Sequence, residues 1–350
     1  MDTEWICFDA VTGYDKGELN HAAQILRQGG LVAFPTETVY GLGGDGFNPQ
    51  AAKKIYEAKG RPSDNPLILH ISKREELDAI AARIPGTAEK LMDAFWPGPL
   101  TMIVWKSDAV PSATTGGMDT VAVRMPSHEG ARQLIESAGV PVAAPSANTS
   151  GRPSPTTAEH VKEDLWGRID MIIDGGLVGI GVESTIIDVT EETPTILRPG
   201  HITKNMIAKV IGTVQMDAGL SGLDQSVKPK APGMKYRHYA PKASMTVIQG
   251  KKEAVIRRIE ELAAEYPKEK VGILAADETL SCYTHGQVVS AGSRNEHTIE
   301  QGLYRALREF DHMGVSVIFS ESFADDDRSE AIMNRLLKAA GQKIEYLSDK

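Results

Sequence analysis

Cysteine is scarce: Cys7 and Cys282 lie far apart in 350 residues and match no metal-ligand spacing. That argues against a disulfide framework or a zinc knuckle, and both are read as structural. Long hydrophobic runs are lacking too. No stretch approaches the roughly 18 apolar residues that span a bilayer, and the opening MDTEWICFDAV is acidic, with no cationic leader region or cleavage pattern. The expectation is a cytoplasmic protein with no membrane partner. Positive charge is also in deficit. The net charge is −9, and residues 1–210 alone hold 19 basic and 27 acidic side chains, which speaks against a general nucleic-acid coat. No GxxxxGK[ST] loop occurs, so a P-loop nucleotidase is excluded; GIGVES (179–184) lacks the last glycine of a dinucleotide fingerprint.

What is present fits two globular domains, since the length exceeds one typical domain and the apolar and charged contents, 41% and 24%, are ordinary. From Gly29 the chain reads as a strand (LVAF), a turn at Pro35, glycine-punctuated chain and a helix with apolar residues at Ala51, Ile55 and Ala58. LILHIS (67–72) reads as a buried strand, REELDAIAARI (74–84) as an amphipathic helix, and AEKLMDAF as a second helix stopped by Pro97-Gly98-Pro99 before the strand TMIVW. Five more strand candidates follow, TVAVRMP, VPVAAPS, MIIDGG, STIIDV and TPTILRPG, with helices at 129–138 and 157–165. Several connections are too short for a helical crossover, so an open mixed α/β sheet is expected. These features assign 1–212 to one domain, the aperiodic 213–242 to a linker, and 243–350 to a small parallel, Rossmann-like α/β domain.

Five short stretches stand at the ends of apolar runs: PTETVYGLG (35–43), KGRP (59–62), AAPSANTSG (143–151), VESTIID (182–188) and LRPG (197–200). Small hydroxyls, glycine and arginine at strand ends are where open α/β sheets hold ligands, and a phosphate-bearing ligand is the simplest common explanation. Each stretch also has a plainer reading. PTETVYGLG alone is as well an exposed turn, and Lys59 and Arg61 also complement a helix C-terminus. Paired on a triphosphate, Arg61 would fork two oxygens with Lys59 as a point charge. A lone strand histidine such as His70 is more often a bonded core residue than a catalyst. Arg124 interrupts TVAV-R-MP where an apolar residue would pack, and a buried guanidinium needs an anion: a substrate carboxylate, or an internal Asp or Glu. Between Lys228 and Lys242 five basic residues and no acid interleave with Tyr236, His238 and Tyr239, a solvated linker or a segment closing over phosphates.

Taken together, PTETVYGLG, KGRP-x-x-NPL, SAN, ESTIID, LRPG and PGMKYRHYAP resemble the long two-domain form of the YrdC-type threonylcarbamoyl-AMP synthases, over both domains and their joint. The resemblance implies that L-threonine, bicarbonate or carbon dioxide, and ATP give threonylcarbamoyl-adenylate and pyrophosphate, with Mg²⁺ held through the phosphates and no covalent enzyme nucleophile. It implies that a separate transferase complex takes the product to the adenosine beside the anticodon of certain tRNAs, with weak tRNA contact by this chain an open matter. It places Thr38, His70, Arg124, Ala144 and Ser184 around threonine, Arg124 on its carboxylate. It places Arg61, Asn65, Thr120, Ser146, Ser154 and Arg198 on ATP, with Lys59 on phosphate and Tyr236 and Tyr239 reaching the nucleotide from the linker, which would fold over the site and exclude water. Two rivals are weighed. A non-catalytic RNA-binding protein of related fold is disfavoured by the acidic first domain. A carbamoyl-adenylate enzyme of hydrogenase maturation would carry zinc-binding cysteine pairs that are missing here.

Overall fold

Residues 30–45 show how the chain builds its sheet. Val32 and Phe34 pack into one apolar cluster with the helices Lys16–Arg27 and Glu129–Ala138. Leu31 and Ala33 pack into the other with Pro49–Lys59, Gly86–Phe95 and Ala158–Leu165. Period-two alternation in a strand covered on both faces gives a helix, sheet, helix sandwich. The structure is a computed structural model that describes residues 2–7, 15–221, 238–295, 297–324 and 329–348. The chain divides into two units, Met1–Ser150 with Ser154–Tyr236, and Gly151–Pro153 with Arg237–Lys350.

In the first unit the strands are β1 (Glu4–Cys7), β2 (Val32–Phe34), β3 (Gly41–Asp45), β4 (Ile68–His70), β5 (Ala81–Arg83), β6 (Leu100–Lys106), β7 (Thr120–Arg124), β8 (Val142–Ala143), β9 (Met171–Asp174), β10 (Thr185–Asp188), β11 (Thr195–Arg198) and β12 (Gln215–Met216). They pair in the order β1-β9-β2-β3-β8-β4-β7-β6-β10-β11-β12, with β5 on β6. Parallel β4/β7 and β6/β10 sit beside antiparallel β6/β7 and β10/β11, so the sheet is mixed, as the short connections require.

Two local readings differ from the structure. The helix expected over 74–84 is a 3₁₀ turn at Arg74–Glu76 and a single turn at Leu77–Ile80, after which Ala81–Arg83 pairs with Trp105 and Lys106. Hydrogen bonding to the end of β6 that extends past β10 overrides a helical pattern. GLGGD, poor in strand formers, is a strand because its neighbours come so close: a Cβ on Gly43 would lie 2.8 Å from the Phe34 ring and 2.9 Å from Val142. Cys7 and Cys282 are free and exposed rather than packed.

The second unit has five strands, β13 (Ser244–Gln249), β14 (Val271–Ala276), β15 (Gln287–Gly292), β16 (Val317–Glu321) and β17 (Ile344–Tyr346), in the order β15-β14-β16-β13-β17, every pair parallel. Helices Lys252–Ala263, Ile299–Met313 and Ser329–Ala339 complete the Rossmann-like arrangement. Of the stretch read as a linker, 213–221 carries β12 and a 3₁₀ turn at Ala218–Ser221, and 222–237 lies outside the described residues. Among the described residues no helix is long and apolar enough to cross a membrane.

Candidate active site

The pairing register brings His70, Thr101 and Arg124 side by side: His70 opposes Arg124 across β4/β7, and Thr101 opposes it across β6/β7. The loop before β3 covers this edge. Arg124 Nη1 donates to Thr38 Oγ1 at 2.9 Å and Nε to the Gly98 carbonyl at 3.3 Å. Thr36 Oγ1 spends its one hydrogen on the Val39 carbonyl at 2.6 Å, so in the 2.9 Å contact between the two hydroxyls Thr38 is the donor. That leaves the Thr38 oxygen free to accept from Arg124. Backbone bonds from Ile180 N and Gly181 N to the carbonyls of Glu37 and Thr38, 2.8 and 2.9 Å, hold the loop.

A second guanidinium joins the same edge. Arg198, at the end of β11, donates from Nε to the Ser184 carbonyl at 3.0 Å and from Nη2 to Ser184 Oγ at 3.1 Å, and Ser184 Oγ lies 2.7 Å from Thr101 Oγ1. Thr38, His70, Arg124, Ser184 and Arg198 thus meet through register and hydrogen bonds, all of them buried. Ala144 adjoins them through its N–H, which donates to the Ile68 carbonyl at 2.9 Å. Ser154 is buried and donates to the carboxylate of Glu183, the neighbour of Ser184.

The other residues gather toward the opposite ends of β4 and β7. Asn48 caps the helix Pro49–Lys59, accepting from Gln50 N and Ala51 N, and Gly60 ends it with a φ of 61° that only glycine adopts freely. The chain leaves with Arg61 turned inward, donating from Nε to Asn65 O at 3.2 Å and from Nη2 to Pro66 O at 3.0 Å. Asn65 is buried, and its Oδ1 has no hydrogen-bond partner among the described residues. Thr120 begins β7, and four residues of strand put it roughly 13 Å from Arg124. Ser146 bridges Gly41 and donates to Asn148 Oδ1 at 2.6 Å.

Lys59 and the linker residues stand differently from the sequence reading. The Lys59 ammonium, buried, donates to the carbonyls of Ser146 and Asn148, so it ties the SAN turn to the helix instead of standing open to phosphate. Tyr239 is 4% exposed in the second unit, stacked on Tyr304 at 5.2 Å with the Arg335 guanidinium 5.7 Å from its ring. A ring so enclosed offers little face for a base. Tyr236 lies outside the described residues.

Sequence reasoning passed over two partners. Glu37, inside PTETVYGLG, makes an ion pair with Arg124, Oε1 to Nη2 at 2.7 Å, and accepts from Ser127 N at 3.1 Å. The internal acid weighed as one partner for Arg124 is therefore present. Its signal was an acid between threonines, one strand end from a buried arginine. Thr101 was legible only as the polar first residue of TMIVW. Burial alone would raise the Glu37 carboxyl, but the close Arg124 charge and the hydrogen bond from Ser127 N outweigh it and hold the group below its ordinary value. Burial, then the nearby Arg124 cation, push the His70 imidazole down to about 3, so the ring is neutral at physiological pH. Its Nδ1 donates to the Ile68 carbonyl at 3.2 Å. Buried cations, neutral acceptors and hydroxyls along about 13 Å of sheet can bind a ligand that is anionic at several points. Among the described residues no group of three or more His, Cys, Asp or Glu side chains is placed to hold a metal ion.

The family model described as "Telomere recombination", for the Sua5/YciO/YrdC group, matches residues 24–200. A second, described as "Threonylcarbamoyl-AMP synthase, C-terminal domain", matches residues 202–341. Threonylcarbamoyl-AMP synthase of Pyrococcus abyssi is 50% identical over 332 residues, covering 94% of this chain and 96% of that protein. The Bacillus subtilis protein of the same name is 51% identical over 331 residues, covering 93% and 94%. The crystal structure of P. abyssi Sua5 complexed with L-threonine matches with a TM-score of 0.93 at 47% identity, covering 99% of this chain and all of that one.

Proposed function

The chain belongs to the threonylcarbamoyl-AMP synthase family and is an enzyme of that activity, and we propose that the residues gathered at the sheet edge divide the work between an amino-acid end and a nucleotide end. Thr38, His70, Arg124, Ala144 and Ser184 receive L-threonine, with its carboxylate on Arg124. Arg61, Asn65, Thr120, Ser146, Ser154 and Arg198 receive ATP, and Lys59 acts by holding the Ser146 turn in place. The observation that carries this division is the convergence of two buried guanidinium groups, Arg124 and Arg198, on neighbouring hydroxyls at one strand edge.

The chemistry follows from positioning. The neutral amine of threonine either adds to carbon dioxide and releases a proton, or condenses with bicarbonate and releases water, to give a carbamate. A carbamate oxygen then attacks the α-phosphorus in line, and pyrophosphate leaves from the far side. Charge builds on the phosphoryl oxygens, where Arg198 and the site's N–H and O–H donors stabilise it. Mg²⁺ bound with the nucleotide would supply positive charge to the departing pyrophosphate. The neutral His70 and the burial of the amino-acid end limit water around a labile carbamate. The adenylate is then passed to a separate tRNA-modifying transferase.

Pyrophosphate release in the presence of ATP, bicarbonate and L-threonine tests the reading. Arg124→Ala should raise the threonine KM by at least about a hundredfold, as loss of a buried charge-assisted contact does, with a much smaller change for ATP. An equal loss for both substrates removes the division proposed.

A further inference from the structure

The bridge between Arg124 and Glu37 is badly made for a purely structural one. Buried arginine–carboxylate pairs favour two parallel hydrogen bonds and leave few polar atoms over. Here one 2.7 Å contact joins Nη2 to Oε1 without the alignment of a hydrogen bond, and the buried atoms Arg124 Nη2 and Glu37 Oε2 lack hydrogen-bond partners among the described residues. Each forgoes a hydrogen bond that its burial calls for, so the pair is held by charge and not by fitted geometry. The two partners are also unequally held. Arg124 is fixed by Gly98 and Thr38, and its side chain is 5% exposed, whereas Glu37 is 14% exposed and accepts from Ser127 N on its Oε1. The guanidinium stays; the carboxylate is the group able to leave.

We propose that Glu37 is a stand-in for the substrate carboxylate: it neutralises Arg124 between turnovers and gives way when the α-carboxylate of the amino acid takes Nη2. Amino-acid binding is then an exchange of one carboxylate for another at a fixed guanidinium. Glu37 is in this sense a positioning residue, acting through Arg124. It keeps a buried cation compensated and sets how tightly threonine binds. It also favours ligands that carry a carboxylate, because a neutral head group cannot replace the one it displaces. The inference rests on the reading of Arg124 as the carboxylate-binding residue.

The test is calorimetric binding of L-threonine, L-threoninamide and ATP to the full chain at neutral pH. Glu37→Gln keeps the shape and an acceptor for Ser127 N–H but removes the charge, and neutral hydrogen bonds are about half as strong as charged ones. The expected result is a threonine Kd about tenfold lower than in the parent chain, with threoninamide and ATP unchanged. Threonine binding that is unchanged or weaker overturns the proposal, as does an equal gain for threoninamide. Should Glu37→Gln lose its cooperative melt, Glu37→Asp draws the charge back by one methylene, and the same fall, or its absence, decides. Arg124→Ala separates the layers. If it leaves threonine binding intact, the parent reading fails. If it weakens threonine binding while neither Glu37 variant tightens it, this inference alone fails.

Discussion

His70 and Glu37 both neighbour Arg124 and respond to acid through opposite charges. The His70 imidazole has an ordinary value of 6.5 and sits at about 3 in the folded chain. Between those values the unfolded chain binds the proton and the folded chain does not, so the stability tied to His70 is complete above 6.5 and lost as the pH falls toward 3. The Glu37 carboxyl is held below its ordinary 4.5, so its share is present above 4.5 and disappears only as the pH falls through the lower folded value. The acid-side loss should therefore begin well above the carboxylate range. His70→Gln is expected to flatten the stability profile between pH 6.5 and 4.5, within a full-depth effect on the order of several kcal/mol. Urea denaturation across that interval checks it, and an unchanged slope would mean that the ring is protonated in the folded chain. The motif made His70 and Arg124 visible in the sequence. Their mutual effect was not, because it depends on a cross-strand register.

Elements carry the same lesson. The helix Pro49–Lys59 was legible from its apolar spacing alone, and the structure adds a capping asparagine and a terminal glycine that agree with it. Asn48→Ala should cost about 1 kcal/mol by removing the acceptor for Gln50 N and Ala51 N. The stretch 74–84 was misread because its helical spacing is real but short, and the end of β6 past β10 offers Ala81–Arg83 hydrogen bonds that no local signal reports. β3 was hidden for the opposite reason. Glycines are poor strand formers, yet at Gly43 the Phe34 ring, Val142 and the Val32 carbonyl leave no room for a side chain. Gly43→Ala should destabilise the first unit by about 1–3 kcal/mol in a denaturant titration. Because β3 continues the loop that carries Glu37 and Thr38, threonine binding should weaken with it. A neutral result would mean that Phe34 repacks at no cost.

For the whole molecule, the second unit is not contiguous in sequence, since it takes in Gly151–Pro153. Within it Arg308, fully buried, donates to the Pro153 carbonyl at 2.7 Å, Ala240 N donates to Gly151 O at 2.9 Å, and Arg152 lies 3.7 Å from Asp311. A fragment of residues 238–350 alone would leave Arg308 without that acceptor. It should unfold about 1–3 kcal/mol more easily than the same unit in the intact chain. Hydrogen exchange of β13–β17 in both forms measures this, and equal protection would show that the three-residue segment contributes nothing. The sequence reading placed 151–153 in the first domain because it joins two of the motifs, and composition has no means of showing that three residues pack elsewhere.

The sequence by itself settled the two-part organisation, the mixed sheet followed by a parallel one, and the family, because each is written in local periodicity or in short motifs whose residues are chain neighbours. Tertiary structure alone decided that Glu37 neutralises Arg124, that the Lys59 ammonium is spent on two carbonyls, and that Tyr239 lies stacked among the side chains of the second unit. Such pairings depend on distances between residues remote in the chain. A buried charge takes whichever partner the folded backbone brings within about 3 Å of it.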